Sequence, residues 1–113
     1  MIQPAYLSKY QAMWVIAMFD LPVYDRVARR KYTRFRKLLL AEGFSKLQFS
    51  VYARYCAGEE IANRYRRLIA DAVPDEGQVR VLAFTDVQFG KMEIFEGNLR
   101  LPPENVPEQF LLF

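Results

Sequence analysis

The sequence predicts an α+β domain in which two helices pack on one face of an antiparallel sheet, in a split βαβ arrangement. Three observations carry this expectation. Apolar spacing switches along the chain between strand-like runs and helical periods, in the order strand, helix, strand or strand pair, helix, strand, with more extended chain after them. A length of 113 residues leaves room for one domain. A composition of 52% hydrophobic and 15% aromatic residues supplies the apolar area for its core. The order is that of the ferredoxin-like fold, which by itself names no function. The expected division is a leader over residues 1–12, the domain over 13–97 and a C-terminal extension over 98–113.

The first strand is the continuous apolar run Met13 to Phe19, short enough to lie buried on both faces and closed by Asp20, Leu21 and Pro22. Asp25 is placed to cap the next helix. Ala28, Tyr32, Phe35 and Leu39 share one helical face, with Leu38 beside it. Arg26, Arg30 and Lys37 fall opposite, with Arg34 flanking. Gly43 ends that helix.

From Phe44 to Cys56 the period drops to two. A short strand over Phe44–Leu47 leads, after a tight connection or bulge, into a half-buried strand. There Phe49, Val51, Ala53 and Tyr55 alternate with Gln48, Ser50, Tyr52 and Arg54. Gly58, Glu59 and Glu60 open a second helix with the apolar stripe Ile61, Tyr65, Leu68 and Ile69. Pro74 to Gly77 is a stop and turn; Val79 to Thr85 and Lys91 to Phe95 are further strands. After Pro102, Pro103 and Pro107, the apolar end Phe110 to Phe113 needs a surface to cover, its own sheet edge or a second copy.

Charge is unevenly placed. Residues 1–56 hold ten Lys/Arg against three Asp/Glu, a balance of +7, whereas residues 57–113 stand at −4. Seven basic residues, five of them Arg, crowd between Asp25 and Glu42. Such a field suits phosphate backbones, and it equally suits a solvated helix face; charge alone leaves both open.

The chemistry is narrow. With no histidine, serine–histidine and cysteine–histidine hydrolysis and histidine-ligated zinc are excluded. The single cysteine, Cys56, excludes an intramolecular disulfide and places the chain in a reducing cytoplasm. The seven-residue run Met13 to Phe19 is too short to span a bilayer. Asp20, at a strand's end, is the candidate carboxylate: a turn residue, or half of an Mg²⁺ site completed by a second copy. Neither a phosphate-binding glycine loop nor the RNA-recognition strand signature is present.

The segments Val15 to Pro22, Arg29 to Leu39, Glu42 to Phe44 and Leu47 to Tyr52 together resemble the CRISPR-associated protein 2 family, the smaller of two near-universal spacer-acquisition proteins, over about residues 13–97. Phe19 to Pro22 and Gly77 to Val87 resemble the version that accompanies Cas9-type single-effector systems. The resemblance implies a homodimer in which the C-terminal strand is exchanged into the partner's sheet. It also implies a metal-dependent endonuclease acting on RNA or DNA, with Asp20 from each copy binding Mg²⁺ or Mn²⁺ as catalytic residue. Phe19 stands where many members carry an aromatic residue before the aspartate, often Tyr. The family's other implied role is structural: the dimer bridges integrase subunits of the CRISPR-associated protein 1 family and holds double-stranded prespacer DNA. On that role, Arg26, Arg29, Arg30, Arg34 and Lys37 contact phosphates.

Overall fold

A computed structural model describes residues 11–103. Most of the expected leader, and the apolar end Phe110 to Phe113, lie outside the described residues. The elements are β1 (Met13–Asp20), α1 (Arg26–Ala41), β2 (Ser45–Gln48), β3 (Val51–Cys56), α2 (Glu59–Ala72), β4 (Gln78–Thr85), α3 (Asp86–Gly90), β5 (Ile94–Glu96) and β6 (Leu99–Leu101). Four strands form one antiparallel sheet in the order β2-β3-β1-β4, and β5 and β6 form a separate hairpin. This is the ferredoxin-like order.

β1 is central and apolar on both faces because both faces are covered. Val15, Ala17 and Phe19 point to the helices and meet Phe35 and Leu39 of α1 and Ala62 and Ile69 of α2. Trp14 and Ile16 point the other way and meet Ala53 and Phe89. The alternation is the ordinary strand pleat.

α1 starts where the sequence predicts. Asp25 is extended, and its carboxylate accepts the Ala28 N–H at 2.8 Å. At the other end the Gly43 N–H donates to Leu40 O (3.1 Å) and the Phe44 N–H to Leu39 O (2.9 Å). With Gly43 at φ +88°, this is a Schellman end, and Phe44 and Leu39 share the core. Two polar ties join the region to the turn after α2. The Tyr24 hydroxyl donates to Glu76 at 2.7 Å, and Lys31 pairs with Asp75 at 2.8 Å. The Lys31 ammonium draws the Asp75 carboxyl below its usual range.

Three expectations need correction. The strand predicted through Phe49 and Ser50 is broken there by a turn: Ser50 has φ +58°, and Phe49 is 76% exposed. β2 also carries a bulge between Lys46 and Gln48. The expected polar face of β3 does not exist, since Tyr52 lies buried against the helices. Arg54 is a structural residue. It donates to Glu42 O (2.8 Å) and Tyr55 O (2.6 Å), and its guanidinium lies 4.1 Å from the Tyr65 ring centre. Cys56 closes β3 inside the core, where burial pushes its thiol pKa up.

Third, a short helix, α3, fills Asp86–Gly90 between the two expected strands, where no element was expected. Thr85 and Gln88 form a reciprocal capping box, the Gln88 N–H donating to Thr85 Oγ1 at 3.1 Å and the Thr85 N–H to Gln88 Oε1 at 2.9 Å. α3 delivers the buried Phe89 ring to Trp14, stacked at 3.9 Å between centres. Asp86 accepts the Trp14 indole N–H at 2.8 Å. The strand expected over Lys91 to Phe95 is shifted to Ile94–Glu96 and turns at Gly97 into β6.

Candidate nucleic-acid interface and carboxylate cleft

The sheet face away from the helices is unevenly covered. At the Trp14 end lie Phe89 and Met92. Toward the Asp20 end Met18 and Val51 are half-buried, and Leu82, opposite Ile16 in mid-sheet, is 55% exposed. Two candidate sites lie on different sides of this sheet.

The first is on α1. Arg26, Arg29, Arg30, Arg34 and Lys37 line one shallow groove of about 460 Å³ with Thr33. All five basic residues are exposed, and among the described residues none is in an ion pair. Among the described residues, Arg29 alone of the five makes a side-chain hydrogen bond, to Val23 O at 3.3 Å. Lys31, by contrast, is engaged with Asp75. Of the seven cations on α1, Lys31 is committed to the fold and five form an exposed row. A row of arginines on a rigid helix matches the spaced acceptors of a phosphate backbone.

The second is at Asp20. Its backbone lies opposite Gln78 in the β1–β4 ladder, and its side chain follows Trp14, Ile16 and Met18 on the face away from the helices. Gly77 (φ +90°) presses on this strand end: a Cβ there would stand 2.5 Å from the Asp20 carbonyl oxygen. The carboxylate is exposed in a cleft of about 220 Å³ shared with Met18, Phe19, Phe49, Ser50, Val51, Gln78 and Arg80. Ser50 is held by the Tyr32 hydroxyl at 3.1 Å. Phe19 turns its ring into the helix-side core against Tyr32, Phe35 and Tyr52.

Asp20 and Gln78 bring hard oxygen donors to the cleft, of the kind that Mg²⁺ or Mn²⁺ takes. Among the described residues no group of three or more His, Cys, Asp or Glu could hold a metal. Asp20 is the one carboxylate among the residues that line the cleft. The α1 row and the Asp20 cleft share no lining residue, so the two halves of the sequence-predicted site are not brought together within one chain. Gln78, Arg80 and Phe49 were not foreseen in the cleft. The readable signal for Arg80 was a charge interrupting the apolar stretch from Val79 to Phe84.

Among the described residues no helix is long and apolar enough to cross a membrane. Residues 13–92 match the family model described as CRISPR associated protein Cas2. A protein of Parvibaculum lavamentivorans named CRISPR-associated endoribonuclease Cas2 is 48% identical over 101 residues, covering 89% of this chain and 100% of the relative. Proteins of the same name from Flavobacterium psychrophilum and Paracidovorax avenae are 39% and 40% identical, each over 95% of this chain and 93% and 99% of their own lengths. With the ferredoxin-like sheet, the strand-end Asp20 and a match of this extent, the chain belongs to the CRISPR-associated Cas2 family.

Proposed function

We propose that the protein acts in spacer acquisition in the cytoplasm, as a homodimer that holds double-stranded prespacer DNA and bridges subunits of the CRISPR integrase. The observation that supports duplex binding is the α1 row, five exposed cations on one rigid helix without an ion pair among the described residues. Dimerisation sets two such rows on one particle. It also gives the bare Asp20 end of the sheet a second copy to meet, with the C-terminal strand exchanged as the resemblance implies. Phosphate contacts of this kind are independent of sequence and strongly salt-dependent.

The test is duplex affinity against salt for the double variant Arg30→Glu/Lys37→Glu. Affinity falls and the slope of log affinity against log salt flattens by roughly 0.9 for each phosphate that the variant no longer neutralises. Wild-type affinity and slope in the variant would remove α1 from the interface.

A second reading is favoured by the Asp20 cleft and by the endoribonuclease names of the relatives. On this reading, two Asp20 carboxylates, one from each copy, hold Mg²⁺ or Mn²⁺ for cleavage of a phosphodiester. The ion, when bound, activates water and neutralises charge on the phosphate. Asp20→Ala separates the readings: a nuclease loses metal-dependent cleavage, whereas the scaffold still supports integration with its partner.

A further inference from the structure

We propose that Arg80 is the phosphate-holding residue of the Asp20 cleft. The inference rests on the reading of Asp20 as a metal carboxylate and adds the group that would grip the nucleic acid there.

The topology places it. Gln78 is the ladder partner of Asp20 and Arg80 that of Met18, so the two side chains on β4 and the carboxylate on β1 share one sheet face. The α1 cations are not available to this cleft, because they line a separate groove beyond the helix layer. Arg80 is the cation that lines the cleft with Asp20. Among the described residues its side chain makes one long hydrogen bond, 3.4 Å to Gln78 Oε1, and no ion pair. Its guanidinium is exposed, with donors for a bidentate grip on two phosphate oxygens.

The neighbours sharpen the point. The same face carries Met18, Val51 and Leu82, apolar groups suited to being covered by another surface. An arginine among them is costly to cover unless an anion accompanies it. Asp20 alone cancels its charge and leaves the cleft neutral. A divalent cation on the carboxylate makes the cleft positive, and only then does it attract a phosphate. Binding at the cleft is therefore metal-dependent, whereas binding along α1 is not.

The experiment measures binding of a labelled trideoxynucleotide in MgCl₂ and in EDTA at matched ionic strength. It uses the full-length protein and its Arg80→Ala, Arg80→Lys and Asp20→Asn variants. Mn²⁺ binding by calorimetry and elution volume are recorded for each. Wild type binds more tightly with Mg²⁺, and Asp20→Asn loses that gain. Arg80→Ala loses about tenfold of the Mg²⁺-dependent affinity, and Arg80→Lys recovers part of it. Arg80→Ala also binds Mn²⁺ and elutes as wild type does. An Arg80→Ala protein that keeps the full Mg²⁺-dependent gain, while Asp20→Asn loses it, overturns the role of Arg80 and leaves Asp20 as a metal carboxylate. A wild type with neither Mg²⁺-dependent gain nor Mn²⁺ binding overturns the Asp20 reading and this inference together. Loss of Mn²⁺ binding or a changed elution volume in Arg80→Ala makes the arginine a structural group and overturns the proposal.

Discussion

Gly77 sets the position of Asp20 through its backbone. At φ +90°, with the Asp20 carbonyl where a side chain would begin, the site tolerates no Cβ without moving β1 or the turn before β4. Gly77→Ala should cost on the order of 1–3 kcal/mol for a side chain held at positive φ, with more if the strand end cannot shift. For a domain of this size that lowers Tm by roughly 5–15 °C, measured by calorimetry. The same variant should bind duplex along α1 normally and lose whatever depends on Asp20. Normal thermal stability in Gly77→Ala would show that the turn relaxes and that the glycine does not position the carboxylate. Lys31 makes a related point about charge. It sits in the same basic stretch as Arg30 and Arg34, yet its ammonium is held by Asp75. Charge count along a helix therefore overstates what a partner can reach.

The elements differ in how openly the chain announces them. β1, α1, α2 and β4 could be read directly, because each is long enough for its apolar period to declare itself. Asp25 and Gly43 marked the ends of α1 for reasons the structure bears out. The turn at Phe49 and Ser50 was hidden. A two-residue turn reverses which face successive residues take, and the bulge residue in β2 reverses it again. Leu47, Val51 and Ala53 therefore pack on one cluster as though the strand were unbroken. α3 was hidden for want of length, since five residues carry no helical period. Its capping box, Thr85 followed three residues later by Gln88, was in plain view. Asp20 was legible as a strand-end carboxylate. Its companions Gln78 and Arg80 were not, because cleft membership depends on β4 lying beside β1, a long-range pairing.

α3 contributes through one ring. Phe89 is fully buried and lies nearly parallel to Trp14, at 8°, with Phe84 at 6.0 Å on the same cluster. Phe89→Ala should destabilise by about 3–5 kcal/mol. Trp14 is the protein's sole tryptophan, so its fluorescence reports the loss directly. Unchanged emission and unfolding midpoint in denaturant would mean that α3 is not needed to cover β1.

On the scale of the whole molecule, the sheet divides the protein into two working sides. The helix layer carries the cations; the opposite side carries Asp20, Arg80 and the uncovered Leu82. If a second copy covers that side, as proposed, Leu82→Asp places a charge in the contact and should yield monomers in sedimentation. Duplex binding should then weaken at least tenfold, because two linked α1 rows lose their mutual support. A dimeric Leu82→Asp protein with intact duplex affinity would place the dimer contact elsewhere.

The α1 row also has a length. From Arg26 to Lys37 the helix advances about 16 Å at 1.5 Å per residue. Along one strand of a duplex, phosphates recur at roughly 3.4 Å along the axis. On the duplex-binding proposal, one protomer therefore gauges about five base pairs, and the distance between two rows in an assembly fixes where the next gauged stretch begins. Such a helix is a graduated scale, and adding or removing one of its turns would change the measure.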